Sequence, residues 1–93
     1  MIVGVLRIEV YLPMSSSLKD KRSVLKSLKD QMRGKFNVAV AEVEPNEKWQ
    51  RAWLAVSTVG TDRRYVDGYL SQVVEWVRAT RAAELIRVEL ELL

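Results

Sequence analysis

Residues 2–34 read IVGVLRIEVYLPMSSSLKDKRSVLKSLKDQMRG and contain a strand, a turn and a helix in one continuous run. Up to Leu12, large apolar residues occupy nearly every second position and alternate with residues such as Arg7 and Glu9. This alternation predicts a β-strand with one buried face. Pro13 ends this strand, and Ser17 with Asp20 three residues later is typical of a capping box at a helix start. The helix is predicted to run to about Arg33, just before Gly34.

The rest of the chain contains three more predicted strands and one more predicted helix. Phe36–Glu44 and Arg51–Val59 are predicted strands, a second helix begins after Asp62, and Leu85–Leu92 alternates as a last strand. The order βαββαβ predicts an α+β, ferredoxin-like fold. Right-handed crossovers then place both helices on one face of a four-stranded antiparallel sheet with strand order 4-1-3-2.

The second strand has two candidate buried faces. A β-bulge could switch the strand from one face to the other, so the sequence leaves both open. One set is Phe36, Val38 and Val40, and the other is Ala39, Ala41 and Val43.

The amino-acid composition of the chain excludes several classes of function. The chain has 93 residues, which is one domain spanning 1–93, and it has no cysteine and no histidine. These absences remove thiolate nucleophiles, the commonest general base and the commonest metal ligand. We therefore expect no enzymatic activity, no cofactor and no bound metal. The apolar N-terminal segment is interrupted by Arg7 and Glu9 and is too short to span a membrane, so we expect a cytoplasmic protein.

Positive charge is concentrated in the first helix. Residues 15–35 hold seven basic and two acidic residues, although the whole chain has a net charge of only +3. Five cations fall in one stripe about 80° wide with no acid expected between them. We name this stripe the basic ridge: Lys19, Arg22, Lys26, Lys29 and Arg33. Either it simply solvates an exposed helix face, or it binds the phosphates of a nucleic acid.

Two features near the start of this helix have a structural and a functional interpretation. Lys21 projects from the apolar face, which favours a structural ion pair but is also compatible with an RNA or phosphate contact. Ser15, Ser16 and Ser17 precede the helix and are either capping residues or an anion site for a phosphorylated ligand.

The face of the sheet without helices is a second candidate surface. It would expose Val3, Val5, Tyr11 and Trp53. Aromatic residues on the central strands could stack RNA bases, but a homodimer through this open face is the favoured interpretation. The other two tryptophans, Trp49 and Trp76, are predicted to be packing residues.

Several short segments resemble one family over nearly the whole chain. They are S-L-K-D-K-R at 17–22, L-P at 12–13, F-N-V at 36–38, A-E-V at 41–43 and W-Q-R-A at 49–52. The sequence is similar in these segments to the DUF503, or YlxP-like, family of small uncharacterised bacterial proteins. The resemblance implies a ferredoxin-like fold and, through the neighbourhood of the family's genes, a role near ribosomal RNA.

The sequence therefore predicts a non-enzymatic RNA-binding accessory protein of ribosome maturation or translation. Lys19, Lys21, Arg22, Lys26, Lys29 and Arg33 are its candidate phosphate contacts. The alternative is a homodimeric interaction module whose basic helix binds an acidic protein surface.

Overall fold

The computed structural model describes residues Met1–Leu93 and has six elements. In chain order they are β1 (Ile2–Tyr11), α1 (Leu18–Lys35), β2 (Ala39–Val43), β3 (Arg51–Gly60), α2 (Arg63–Ala79) and β4 (Glu84–Leu92). The strands form one sheet in the order β2-β3-β1-β4, and every neighbouring pair is antiparallel. This confirms the predicted ferredoxin-like fold and its strand order.

One hydrophobic core lies between the sheet and the two helices. The even-numbered residues of β1 from Gly4 to Val10 are buried, as the alternation predicted. Both helices contribute to the same cluster of 17 buried residues, including Leu28 of α1 and Leu70 of α2. A Cβ at Gly4 would lie 2.6 Å from atoms of Leu70 and Val66, so the absence of a side chain there lets α2 approach β1.

The second strand begins three residues later than predicted. Phe36 ends α1 instead, because its backbone N–H donates to the carbonyl oxygen of Met32 and its ring packs edge-on against Tyr69 and Trp76. The buried face of β2 is the one that carries Val40, while Ala39 and Ala41 are exposed. The choice left open by the sequence is thus settled by the larger apolar side chains.

β4 lies at one edge of the sheet and contains a β-bulge. Glu9 pairs with Arg87 but Val10 pairs with Leu85, so Ile86 is the extra residue of a β-bulge. The bulge is therefore in β4 and not in β2, where the sequence suggested it. Neither helix has an apolar segment long enough to cross a lipid bilayer.

Candidate functional site

The basic ridge runs along the outer surface of α1. Lys19, Arg22, Lys26 and Arg33 are exposed, and Lys29 is half-buried where the ridge meets the apolar face. At about 1.5 Å per residue, the ridge extends about 21 Å along the helix axis. Five cations of one amphipathic helix thus share one side of the molecule.

An acid beside the ridge pairs with two of its five cations, so the expectation that all five would be free of carboxylates was wrong. Asp30 accepts from Lys26 Nζ at 2.9 Å and contacts Arg33 Nη1 at 3.4 Å. The hydrogen bond from Lys26, with the positive charges around it, lowers the pKa of Asp30 and so stabilises its carboxylate form. Sequence spacing missed these pairs because Asp30 lies beside the stripe but within reach of long basic side chains.

The other three ridge cations have no internal partner. No carboxylate oxygen lies within 4.0 Å of the side-chain nitrogens of Lys19, Arg22 or Lys29. Lys26 is held only by a solvent-exposed ion pair, which contributes roughly 0 to 1 kcal/mol and is easily exchanged. Arg33 also donates through Nη2 to the backbone carbonyl of Val40 at 2.7 Å, so only its Nη1 depends on the exposed pair with Asp30. The ridge therefore keeps most of its capacity to bind an external anion.

The serines before α1 are used to cap it. The Ser17 hydroxyl accepts from the Asp20 backbone N–H at 3.0 Å, and Asp20 accepts from both the hydroxyl and the N–H of Ser16. The hydroxyl of buried Ser15 donates to the carbonyl of Ser17. Hydrogen bonds from Ser16 lower the pKa of Asp20 and so stabilise the carboxylate at this helix end. This arrangement favours the capping interpretation of Ser15, Ser16 and Ser17 over the alternative of an anion site.

The cap gives a testable stability effect. Replacing Ser17 with alanine leaves the Asp20 N–H without its acceptor, so we expect the free energy of unfolding to fall by about 1 kcal/mol. Ser23→Ala, at an exposed position inside α1 with no side-chain hydrogen bond, should change it by less than about 0.5 kcal/mol. Equal effects of the two substitutions in urea denaturation would contradict the cap.

Lys21 is separated from the ridge and holds a loop in place. Its side chain is 3% exposed, and Nζ donates to both the backbone carbonyl and the side-chain oxygen of Asn46, at 3.1 and 3.0 Å. The partner is an amide rather than the carboxylate expected for an ion pair. With its ammonium turned inward to the β2–β3 loop, Lys21 is not part of the exposed cationic surface.

The open face of the sheet carries a network of charged side chains. Arg7 of β1 forms ion pairs with Glu44 and Glu89, and its guanidinium lies over the ring of Trp53 at 4.8 Å. The ring that was predicted to stack bases or bury itself in a dimer is therefore already in contact with a cation. Val3, Val5 and Tyr11 on the same face are half-buried.

Trp49 is exposed, although it was predicted to be a packing residue. It is 55% exposed and lines an open depression of about 430 Å³ with Tyr11, Lys48 and Arg51. The position of Trp49 between the basic residues Lys48 and Arg51 is the sequence feature that marks this depression. Trp76, by contrast, packs against Phe36 as predicted.

The acidic residues do not form a metal site. No group of three carboxylates in the chain is close enough together to hold a cation. Glu44, whose backbone has a positive φ of 49°, pairs with Arg7.

Comparisons with known proteins identify relatives but no activity. A family model described as "Protein of unknown function (DUF503)" matches residues 3–90. The chain is also 29% identical over 76 residues to "Uncharacterized protein YlxP" of Bacillus subtilis (strain 168), an alignment that covers 82% of this chain and 83% of the relative.

Proposed function

The chain belongs to the DUF503 family, whose function is unknown, and we propose that this member is a non-enzymatic RNA-binding protein that contacts phosphates through α1. Lys19, Arg22 and Lys29 are the primary contacts. Lys26 and Arg33 join them when phosphate oxygens replace those of Asp30. The contacts read backbone charge and not base identity.

One observation carries this proposal: three cations of one helix face have no carboxylate partner although the chain contains 12 acidic residues. Like charges three and four residues apart on a helix repel one another by about 0.2 to 0.5 kcal/mol per pair. A surface that only needs to be soluble gains nothing from this repulsion, because mixed charges serve solubility equally well. A polyanion lying along α1 relieves it.

The β2–β3 loop supports RNA as the polyanion. Lys21 ties Asn46 of this loop to the first turns of α1, and the same loop exposes Trp49 beside Lys48. If a single strand bound to the ridge extends to this loop, a base can stack on the Trp49 ring, and each such contact contributes about 1 to 3 kcal/mol.

The family resemblance gives the biological context of the proposal. It suggests that the RNA is ribosomal and that the protein acts in the cytoplasm during ribosome maturation or translation. The proposed phosphate contacts do not depend on this context.

Charge reversal on the ridge tests the proposal. Lys19→Glu combined with Arg22→Glu should lower the affinity for a fluorescent single-stranded RNA at least about tenfold, because two phosphate contacts become repulsive. Binding of the unmodified protein should weaken with salt. The log–log slope should be about −2 if three phosphates are neutralised and about −3.5 if all five ridge cations are engaged.

A matched control separates the ridge from net charge. Arg63→Glu with Arg64→Glu makes the same change in net charge in the exposed first turn of α2. If both double variants lose RNA equally, binding follows net charge and the ridge is not the site. If the unmodified protein binds no RNA but binds an acidic protein through the same two residues, the alternative of an acidic partner is correct.

A further inference from the structure

The outer edge of β4 has unpaired backbone groups. Val3 and Leu93 exchange two backbone hydrogen bonds, of 2.9 and 2.7 Å, so the backbone groups of Leu93 point toward β1. In an antiparallel pair, successive residues direct their N–H and C=O groups to opposite sides. Those of Leu92, Leu90 and Val88 therefore point away from the sheet, where no strand follows β4.

The same edge exposes apolar side chains on the helix side of the sheet. Val88 lies opposite Ile8 and Leu90 opposite Leu6, yet they are 38% and 40% exposed, and Ile86 of the bulge is 42% exposed. By contrast, the β1 residues opposite Val88 and Leu90, Ile8 and Leu6, are completely buried.

A groove of about 200 Å³ separates this edge from α2. It is lined mainly by Leu6, Leu70, Val74, Val88 and Leu90. An apolar edge strand with free hydrogen-bonding groups is a template for pairing with another strand.

We propose that this edge pairs with the β4 edge of a second copy of the chain, in an antiparallel register centred on Val88. This register places Val88 opposite its own equivalent and Ile86 opposite the partner subunit's Leu90. On the other face of the sheet it places Arg87 opposite the partner subunit's Glu89, and the two-fold axis repeats both contacts. Arg87 has no carboxylate within 4.0 Å in the single chain.

Charge selects this register over its neighbours. A pairing centred on Glu89 places two Arg87 side chains opposite Glu91 but also places the Glu89 carboxylate opposite itself, and a pairing centred on Leu90 places Glu89 opposite Glu91 twice. Like charges directly opposite one another destabilise a sheet, whereas opposite charges stabilise it. Val88 also has outward-pointing backbone groups, as a hydrogen-bonded pair at the axis requires.

The pairing is independent of the proposed RNA surface. A two-fold axis perpendicular to the sheet keeps all four helices on one face of an eight-stranded sheet. The two α2 helices flank the new junction and cover the exposed side chains of Ile86, Val88 and Leu90. α1 packs on β2, at the opposite edge, so the basic ridge stays accessible in both copies.

Single cysteines test the register, since the chain has none of its own. Val88→Cys should form an intersubunit disulfide on mild oxidation, because hydrogen-bonded partners have Cα atoms about 5.5 Å apart, within the range a disulfide spans. Leu90→Cys is a matched control of similar exposure and should not crosslink, because the two Leu90 positions lie about 13 Å apart along the strands. Crosslinking of both variants to the same extent, or of neither, would overturn the register.

Sedimentation over a range of concentrations tests the dimer itself. The unmodified protein should show a monomer–dimer equilibrium that Arg87→Glu weakens at least about tenfold, because two attractive pairs become repulsive. Arg81→Glu makes the same charge change outside β4 and should leave the equilibrium unchanged. A strictly monomeric protein at high micromolar concentration, or a dimer that crosslinks through Val5→Cys on the open face instead, would refute edge pairing. RNA binding by α1 would stand in either case.

Discussion

Replacing Leu54 with alanine should lower the free energy of unfolding by about 3 to 5 kcal/mol, the largest loss we expect from one substitution. Leu54 is completely buried in β3, one of the two central strands, opposite Ile8 of β1. Its side chain faces the layer formed by both helices, and neighbouring backbone is fixed by hydrogen bonds on both sides. The cavity therefore has little room to collapse, and the cost lies near the upper end for such replacements.

An exposed leucine provides the control. Leu93 is 61% exposed, so Leu93→Ala should change the free energy of unfolding by less than about 0.5 kcal/mol. Urea denaturation measures both, and the slope of the free energy against urea should be the same in all three proteins. A loss below about 1 kcal/mol for Leu54→Ala would show that the core between β3 and the helices is not packed as described.

Lys21→Ala should be the second most destabilising change, at about 2 to 3 kcal/mol. It removes two hydrogen bonds from a charged donor to Asn46 and leaves a space where the buried methylene stem packed. Amide hydrogen exchange should show where the loss occurs. The backbone N–H of Lys48, which donates to the same Asn46 side chain, should lose protection while the amides of β1 keep theirs.

Lys21→Met separates the two causes. Methionine keeps most of the packing of the stem but cannot donate to Asn46, so it should be less destabilising than alanine while releasing the loop equally. If Lys21→Met is as stable as the unmodified protein and protects the Lys48 amide normally, the hydrogen bonds to Asn46 contribute nothing to loop structure.

The helix–strand order was predictable because each element is marked locally. Alternation in β1, the Ser17 and Asp62 caps and the periodicity of α2 all agree with the structure. The start of β2 was not predictable, because Phe36 satisfies a helix end as well as a strand, and only its contacts with Tyr69 and Trp76 distinguish the two. The bulge at Ile86 is likewise decided by strand pairing, which a local pattern does not contain.

The sequence predicted which side of α1 carries the candidate site, but it did not predict the contacts that its residues make within the chain. Helical spacing placed five cations on one side of α1, and the structure keeps four of them exposed. Spacing alone could not show that Asp30 reaches Lys26 and Arg33, because flexible side chains extend beyond their own stripe. The roles of Lys21 and Trp49 depend on the β2–β3 loop, which is distant from α1 in sequence.

The S-L-K-D-K-R segment is therefore mainly structural. Ser17 and Asp20 cap α1, Lys21 anchors the loop, and only Lys19 and Arg22 remain free for a partner. The segment that most clearly marks the family maintains the helix start and loop position on which the proposed RNA surface depends.

Ultraviolet crosslinking in living cells, followed by purification of the protein and identification of what is bound, tests RNA binding by α1 most directly. We expect recovery of RNA, with the crosslinked peptides mapping to residues 19–33 of α1 or to the loop that carries Trp49. In the same experiment, the double variant Lys19→Glu, Arg22→Glu should not recover the RNA. Recovery of protein without RNA, or RNA crosslinks confined to α2 and β4, would contradict RNA binding by α1.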